Sequence, residues 1–142
     1  MTSSDPTGEA SVAGDATATD VVTMQIPADV SYVSTLRLTA ASLAARCDLT
    51  VDDIEDLRLA VDEACALLLP HAGGGAVIAA HFELTSGRLV VETSVATDDV
   101  AEPDTEGFAW TVLGALSSSV DVQQHDGQLT IALTKSREAS ER

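Results

Sequence analysis

Basic residues are scarce in this chain. Seven Lys and Arg stand against 23 Asp and Glu, which leaves a net charge of −16 and a pI near 4.1. Binding nucleic acid needs a basic patch that displaces phosphate counterions, so that class of partner is excluded. An anionic membrane surface repels such a chain for the same reason. Aromatics are also few, with one Trp, one Tyr and two Phe, so any core must be aliphatic. No apolar run reaches membrane-spanning length, and the start MTSSDPTGEA has neither the basic segment nor the apolar core of an export signal. A cytoplasmic protein is expected. The two cysteines, Cys47 and Cys65, fall on apolar helix faces and read as buried free thiols rather than a disulfide. Together with His71, His81 and His125 they show no pair at a ligand spacing, so no metal site is expected from them.

What the chain does have is one long, well-signalled helix. In TVDDIEDLRLAVDEACALLLPHAGGG, residues 50–75, Thr50 is followed three residues later by Asp53, an acidic variant of the capping box. Asp52, Asp53 and Glu55 sit at the positive end of the helix dipole. Ile54, Leu57, Val61, Ala64 or Cys65, and Leu68 recur at helical spacing and make one apolar stripe. Pro70 and the three glycines at 73–75 end it. Glu63 and Leu67 lie one turn apart on the same face. A phosphate-handling helix needs a carboxylate at the first to orient a hydroxyl and an oxygen ligand for Mg²⁺ at the second. Leucine offers no oxygen.

Around this helix, residues 1–20 are small and polar and read as a disordered tail. VVTMQIP at 21–27 alternates as a strand, and Asp29 is a fitting N-cap for a helix reaching about Cys47. Strands are expected at 76–84 and 88–96, joined by a short turn at Thr85-Ser86-Gly87. After a polar, acidic loop at 96–107, FAWTVLGALSSSV (108–120) reads as a helix with Phe108, Val112 and Leu116 on one side, weakened by Gly114. Phe108 and Trp110 are read as core-filling, with an interface as the alternative. Asp126-Gly127 turns a last hairpin, and 135–142 is a polar tail. The order β-α-α-β-β-α-β-β predicts one domain, residues 21–134, of the α+β class: a two-layer sandwich with a mixed, mostly antiparallel sheet and helices on one face. The serines at 117–119 near Asp121 and His125 lack a nucleophile elbow and read as capping residues.

Residues 26–65 resemble the front half of bacterial anti-sigma factors that are also serine kinases, members of the GHKL ATPase superfamily. The family's magnesium helix, E-A-C-T-N-A-V-x-H-A, compares with Glu63, Ala64, Cys65, Ala66, Leu67, Leu68, Leu69, Pro70, His71 and Ala72. Residues 90–122 are closer to the actinobacterial sigma-F-type members, which keep LRLAVDE and a similar F-x-W-x-V-L-x-A-L helix. The likeness runs over roughly residues 21–134.

The resemblance implies a GHKL fold, a sigma factor and a STAS-type anti-anti-sigma protein as competing partners, and a homodimer. It makes Arg37 the helix-1 arginine that contacts both partners, and Asp52, Asp53 and Asp56 the acidic start of helix 2 beside it. Residues 48–63 carry seven carboxylates against Arg58 alone, a ridge suited to steering a basic partner. The bland reading of Arg37 is a surface arginine paired with a carboxylate. Glu63 occupies the catalytic base position. Asp98 stands where the family's adenine-binding aspartate precedes glycines that are missing here, and Gly107 is what remains of the second glycine motif. With Leu67 in the metal position, the expectation is a binding protein without efficient kinase activity and with no ATP or magnesium as a working cofactor, weak nucleotide binding being left open. An active ATP-dependent serine kinase is the alternative.

Overall fold

A computed structural model describes residues 19–98 and 105–137. The expected tail at 1–20 lies almost wholly outside these residues, as does much of the 96–107 loop, including Asp99, Val100 and Pro103. The elements are β1 (Asp20–Pro27), α1 (Val33–Arg46), α2 (Val51–Leu68), β2 (Val77–Thr85), β3 (Arg88–Ala96), α3 (Phe108–Leu116), β4 (Ser119–His125) and β5 (Gln128–Ser136).

Each helix boundary has a local cause. Thr50 Oγ1 accepts from the Asp53 amide at 3.1 Å, and the Asp53 carboxylate accepts from the Thr50 amide at 3.2 Å, closing the expected capping box. α2 ends at Leu68, and Pro70 is accommodated in a 3₁₀ turn over Leu69–His71 before the glycines. Asp29 does cap, but what it caps is a 3₁₀ turn, Val30–Tyr32, that leads into α1. A 3₁₀ turn at a helix entrance is common because its tighter bonds satisfy amides that lack an intrahelical acceptor, as the Tyr32 amide does by donating to Asp29 O at 2.9 Å.

The five strands form one sheet in the order β1-β2-β3-β5-β4. Every neighbouring pair is antiparallel, so the mixed character expected from the sequence is absent among the described residues. Short hairpin turns fix two of the four pairs, β2–β3 and β4–β5, while β1 reaches β2 through α1 and α2 and β3 reaches β5 through α3 and β4. Asp126 and Gly127 both have positive φ, 54° and 76°, as a tight two-residue hairpin turn requires.

Alternation along the strands sends one set of side chains under the helices. Phe82 on β2, Leu89 and Val91 on β3, and Leu129, Ile131 and Leu133 on β5 are fully buried there. α1 adds Leu36, and α2 adds Leu57, Val61, Cys65 and Leu68. Ala40, Ala44, Ala60 and Ala64 are fully buried as well, and their small size lets α1 and α2 pack closely over the sheet.

Two ends differ from the sequence expectation. α3 stops at Leu116 rather than near 120, because the Ser118 amide donates to Thr134 O at 2.8 Å and the Ser118 hydroxyl accepts from the Ser136 amide at 2.9 Å. Ser118 and Ser119 thus join the sheet, while Ser117 is the C-cap residue of α3. β5 in turn continues to Ser136, so Lys135 and Ser136 belong to the sheet and not to a polar tail. The buried face of α3 is also rotated from expectation. Leu113 is fully buried, Trp110 and Leu116 partly so, and Phe108 is 84% exposed, so Phe108 fills no core.

Candidate functional site

The second half of α2 presents Glu63 and Leu67 one turn apart, both half-buried. Leu67 packs against the apolar core, as an aliphatic side chain must, and leaves that position without an oxygen. Asp98 is exposed just past the end of β3, next to buried Thr97, whose amide donates to Gly127 O at 2.8 Å. Gly107 is the N-cap of α3 with φ −84° and ψ 176°, an extended conformation open to any residue. Nothing in that backbone needs the freedom of glycine. The donor set therefore does not fit magnesium held in the family's manner, and no three His, Cys, Asp or Glu gather elsewhere among the described residues.

The partner-facing residues are more engaged than the sequence suggests. Arg37 Nη1 donates to both Asp62 oxygens, at 3.0 and 3.1 Å, joining α1 to α2. Both side chains are about one-third exposed. Arg37 Nε is buried and has no partner among the described residues. Between the two helices, Val30, Val33, Ser34, Cys65, Ala66 and Leu69 complete a small cleft of about 290 Å³ beside this pair. A larger hollow of about 560 Å³ lies on the open face of the sheet, between His81, Glu92 and Ser94, away from these groups.

The acidic ridge is partly neutralised. Asp53 is buried and closes the capping box, and Asp56 accepts from Lys135 Nζ at 3.2 Å. Glu55 pairs with Arg58 at 2.8 Å and Asp62 with Arg37. Of the seven carboxylates over 48–63, Asp48, Asp52 and Glu63 keep no cation within bonding distance among the described residues. Asp52 is thus the exposed, unpaired member of the three acidic positions at the start of α2.

Sequence reasoning missed Lys135 and the pairing of Asp62. The signal for Lys135 was present. It falls on the same strand parity as Leu129, Ile131 and Leu133, which places its stem on the buried face. Both cysteines are free and buried. Burial pushes the Cys65 thiol up to about 12 and raises Cys47 as well.

Helices on one face of a five-stranded antiparallel sheet, with a carboxylate-bearing helix and a loop-to-helix entry beside it, define a two-layer ATPase-like domain. The chain belongs to the histidine kinase-like ATPase domain family, whose match spans residues 26–135. It is similar to the serine-protein kinase RsbW of Bacillus thuringiensis strain Al Hakam, 28% identical over 134 residues covering 80% of this chain and 83% of the relative. A shorter stretch is 48% identical over 56 residues to RsbW of Bacillus velezensis, covering 39% of this chain and 35% of that one. Among solved structures, that of the RsbU and RsbW domains of Rv1364c from Mycobacterium tuberculosis shares the fold. The TM-score is 0.61 at 17% identity, covering 85% of this chain and 35% of the other.

Proposed function

We propose that this chain is an anti-sigma factor that works by binding. In this reading the domain, residues 21–134, acts as a cytoplasmic homodimer that keeps a stress- or sporulation-type, sigma-F-like sigma factor away from RNA polymerase. A STAS-type anti-anti-sigma protein competes for an overlapping surface and releases it. The observation that carries the reading is the pairing of a retained family helix with Leu67. α2 keeps the family's order of residues through Cys65, yet its metal position is an aliphatic side chain packed against the core. Similarity to RsbW along most of the chain supports the choice of partner class. Arg37 and Asp52 are the residues assigned to partner contact, with Asp53 and Asp56 shaping the start of α2 behind them.

The test is to mix the purified chain with sigma-F-like sigma factors, without nucleotide, and follow complex formation by size-exclusion chromatography. A complex that an anti-anti-sigma protein dissolves agrees with the reading. Failure to bind any of them without nucleotide contradicts it.

The second reading is an ATP-dependent serine kinase that phosphorylates the anti-anti-sigma partner. It is favoured by the kinase relatives and by Glu63, which remains half-exposed at the base position. Transfer of labelled phosphate from ATP to that partner, lost in Glu63→Gln, separates the two.

A further inference from the structure

α3 is the least embedded helix. Of its nine residues Leu113 is the one fully buried, Phe108 at its start is 84% exposed, and among the described residues no side chain caps its N-terminus. A helix this short has no stability of its own in water. Its firm attachment is at the other end.

There Lys135 Nζ donates to Leu116 O at 3.1 Å and to Asp56 Oδ2 at 3.2 Å, with Asp53 Oδ1 at 4.0 Å. The Leu116 carbonyl belongs to the last turn, where carbonyls lack intrahelical amides and the dipole favours a cation. The Lys135 and Asp53 side chains are only 11% and 9% exposed, whereas Asp56 is 41% exposed, so water and salt screen the Asp56 end of this link more than the ammonium itself. One ammonium group thereby joins three elements: β5 that carries it, α2 that holds its charge, and α3 that it caps.

We infer that Lys135 is the positioning residue of α3, and that α3 opens as a unit of its own when this link is broken. Removing the ammonium leaves the Leu116 carbonyl without its donor and two carboxylates on α2 without their cation. Within α3 the apolar contacts of Leu113, Trp110 and Leu116 then remain, together with the Ser118 bonds to β5 just past its end. The sheet and α1 do not depend on the link. To the one apolar core they share with α3, that helix contributes a single fully buried side chain, Leu113. The inference stands whatever partner the domain binds.

Amide hydrogen exchange on the full chain tests it, comparing the native protein with Lys135→Met, which keeps the stem and removes the charge. The expected result is exchange at least about tenfold faster over residues 108–116, with β2 and α1 unchanged. Trp110 emission should shift to the red in parallel. A rise of equal size in every element would make Lys135 a contributor to global stability and overturn the inference, as would no change in α3. Should Lys135→Met not fold, Asp56→Asn keeps the ammonium and its bond to Leu116 but loosens its anchor. A smaller increase, still confined to α3, is then expected, and its absence overturns the inference equally.

Discussion

Arg37 on α1 grips both oxygens of Asp62 on α2 through a single nitrogen, Nη1, at 3.0 and 3.1 Å. A guanidinium carries five N–H donors, so this pairing leaves donors for a second acceptor. The bland reading of Arg37 and the partner-contact reading are therefore compatible in one side chain.

That relationship makes a prediction with two readouts. Each side chain of the pair is about one-third exposed, where such pairs contribute about 0–1 kcal/mol. Arg37→Glu should leave the fold intact, with thermal unfolding shifted by only a few degrees. Sigma factor affinity, measured by titration calorimetry, should fall at least about tenfold. Unchanged affinity would remove Arg37 from the contact surface.

Salt should weaken the encounter with a sigma factor less than a count of carboxylates suggests. Asp53, Glu55, Asp56 and Asp62 have internal cations, which leaves Asp52 as the exposed charge at the start of α2. Asp52→Asn should slow association measurably in stopped-flow at low ionic strength, and the difference should vanish near 1 M salt, where screening is complete within a few ångströms. A larger effect from Asp53→Asn without loss of stability would contradict the assignment.

Phe82 is the largest fully buried side chain and lies near the centre of the sheet's covered face. Phe82→Ala should cost about 3–5 kcal/mol in denaturant unfolding, the range for emptying an aromatic from a packed core.

Cys65 links stability to alkaline pH. Its thiol is pushed from an ordinary value of 9.0 to about 12 by burial. The folded state holds the proton that the unfolded chain releases, so stability is full below pH 9 and falls as pH rises through the window from 9 to about 12. Within that window the slope approaches about 1.4 kcal/mol per pH unit. Cys65→Ala should unfold more easily at pH 7 yet lose that part of the slope. At neutral pH a thiol reagent should label the native protein only as fast as it opens.

Much of the fold was legible because its signals are local. The Thr50–Asp53 box, the Asp126-Gly127 turn and the period-two strands each follow from residues close in sequence. The apolar stripe of α2 was equally plain. What escaped depends on distant partners. Ser118 looked like helix until Thr134 and Ser136 claimed it, and Lys135 looked like tail because Asp56 lies 79 residues away. Phe108 was misplaced for a related reason. Its helix is set by Leu113 and the Lys135 link, and neither shows in the helical period. At the candidate site, Leu67 could be read directly as a missing ligand, whereas the neutralised ridge depends on cations brought in by the fold, Lys135 above all.

The most direct test of a binding-only protein is calorimetric titration of ATP with Mg²⁺ into the native chain and into Leu67→Asn. The account predicts no heat from the native chain and a binding signal once the asparagine oxygen is restored. Micromolar binding by the native chain would contradict it and favour the kinase reading.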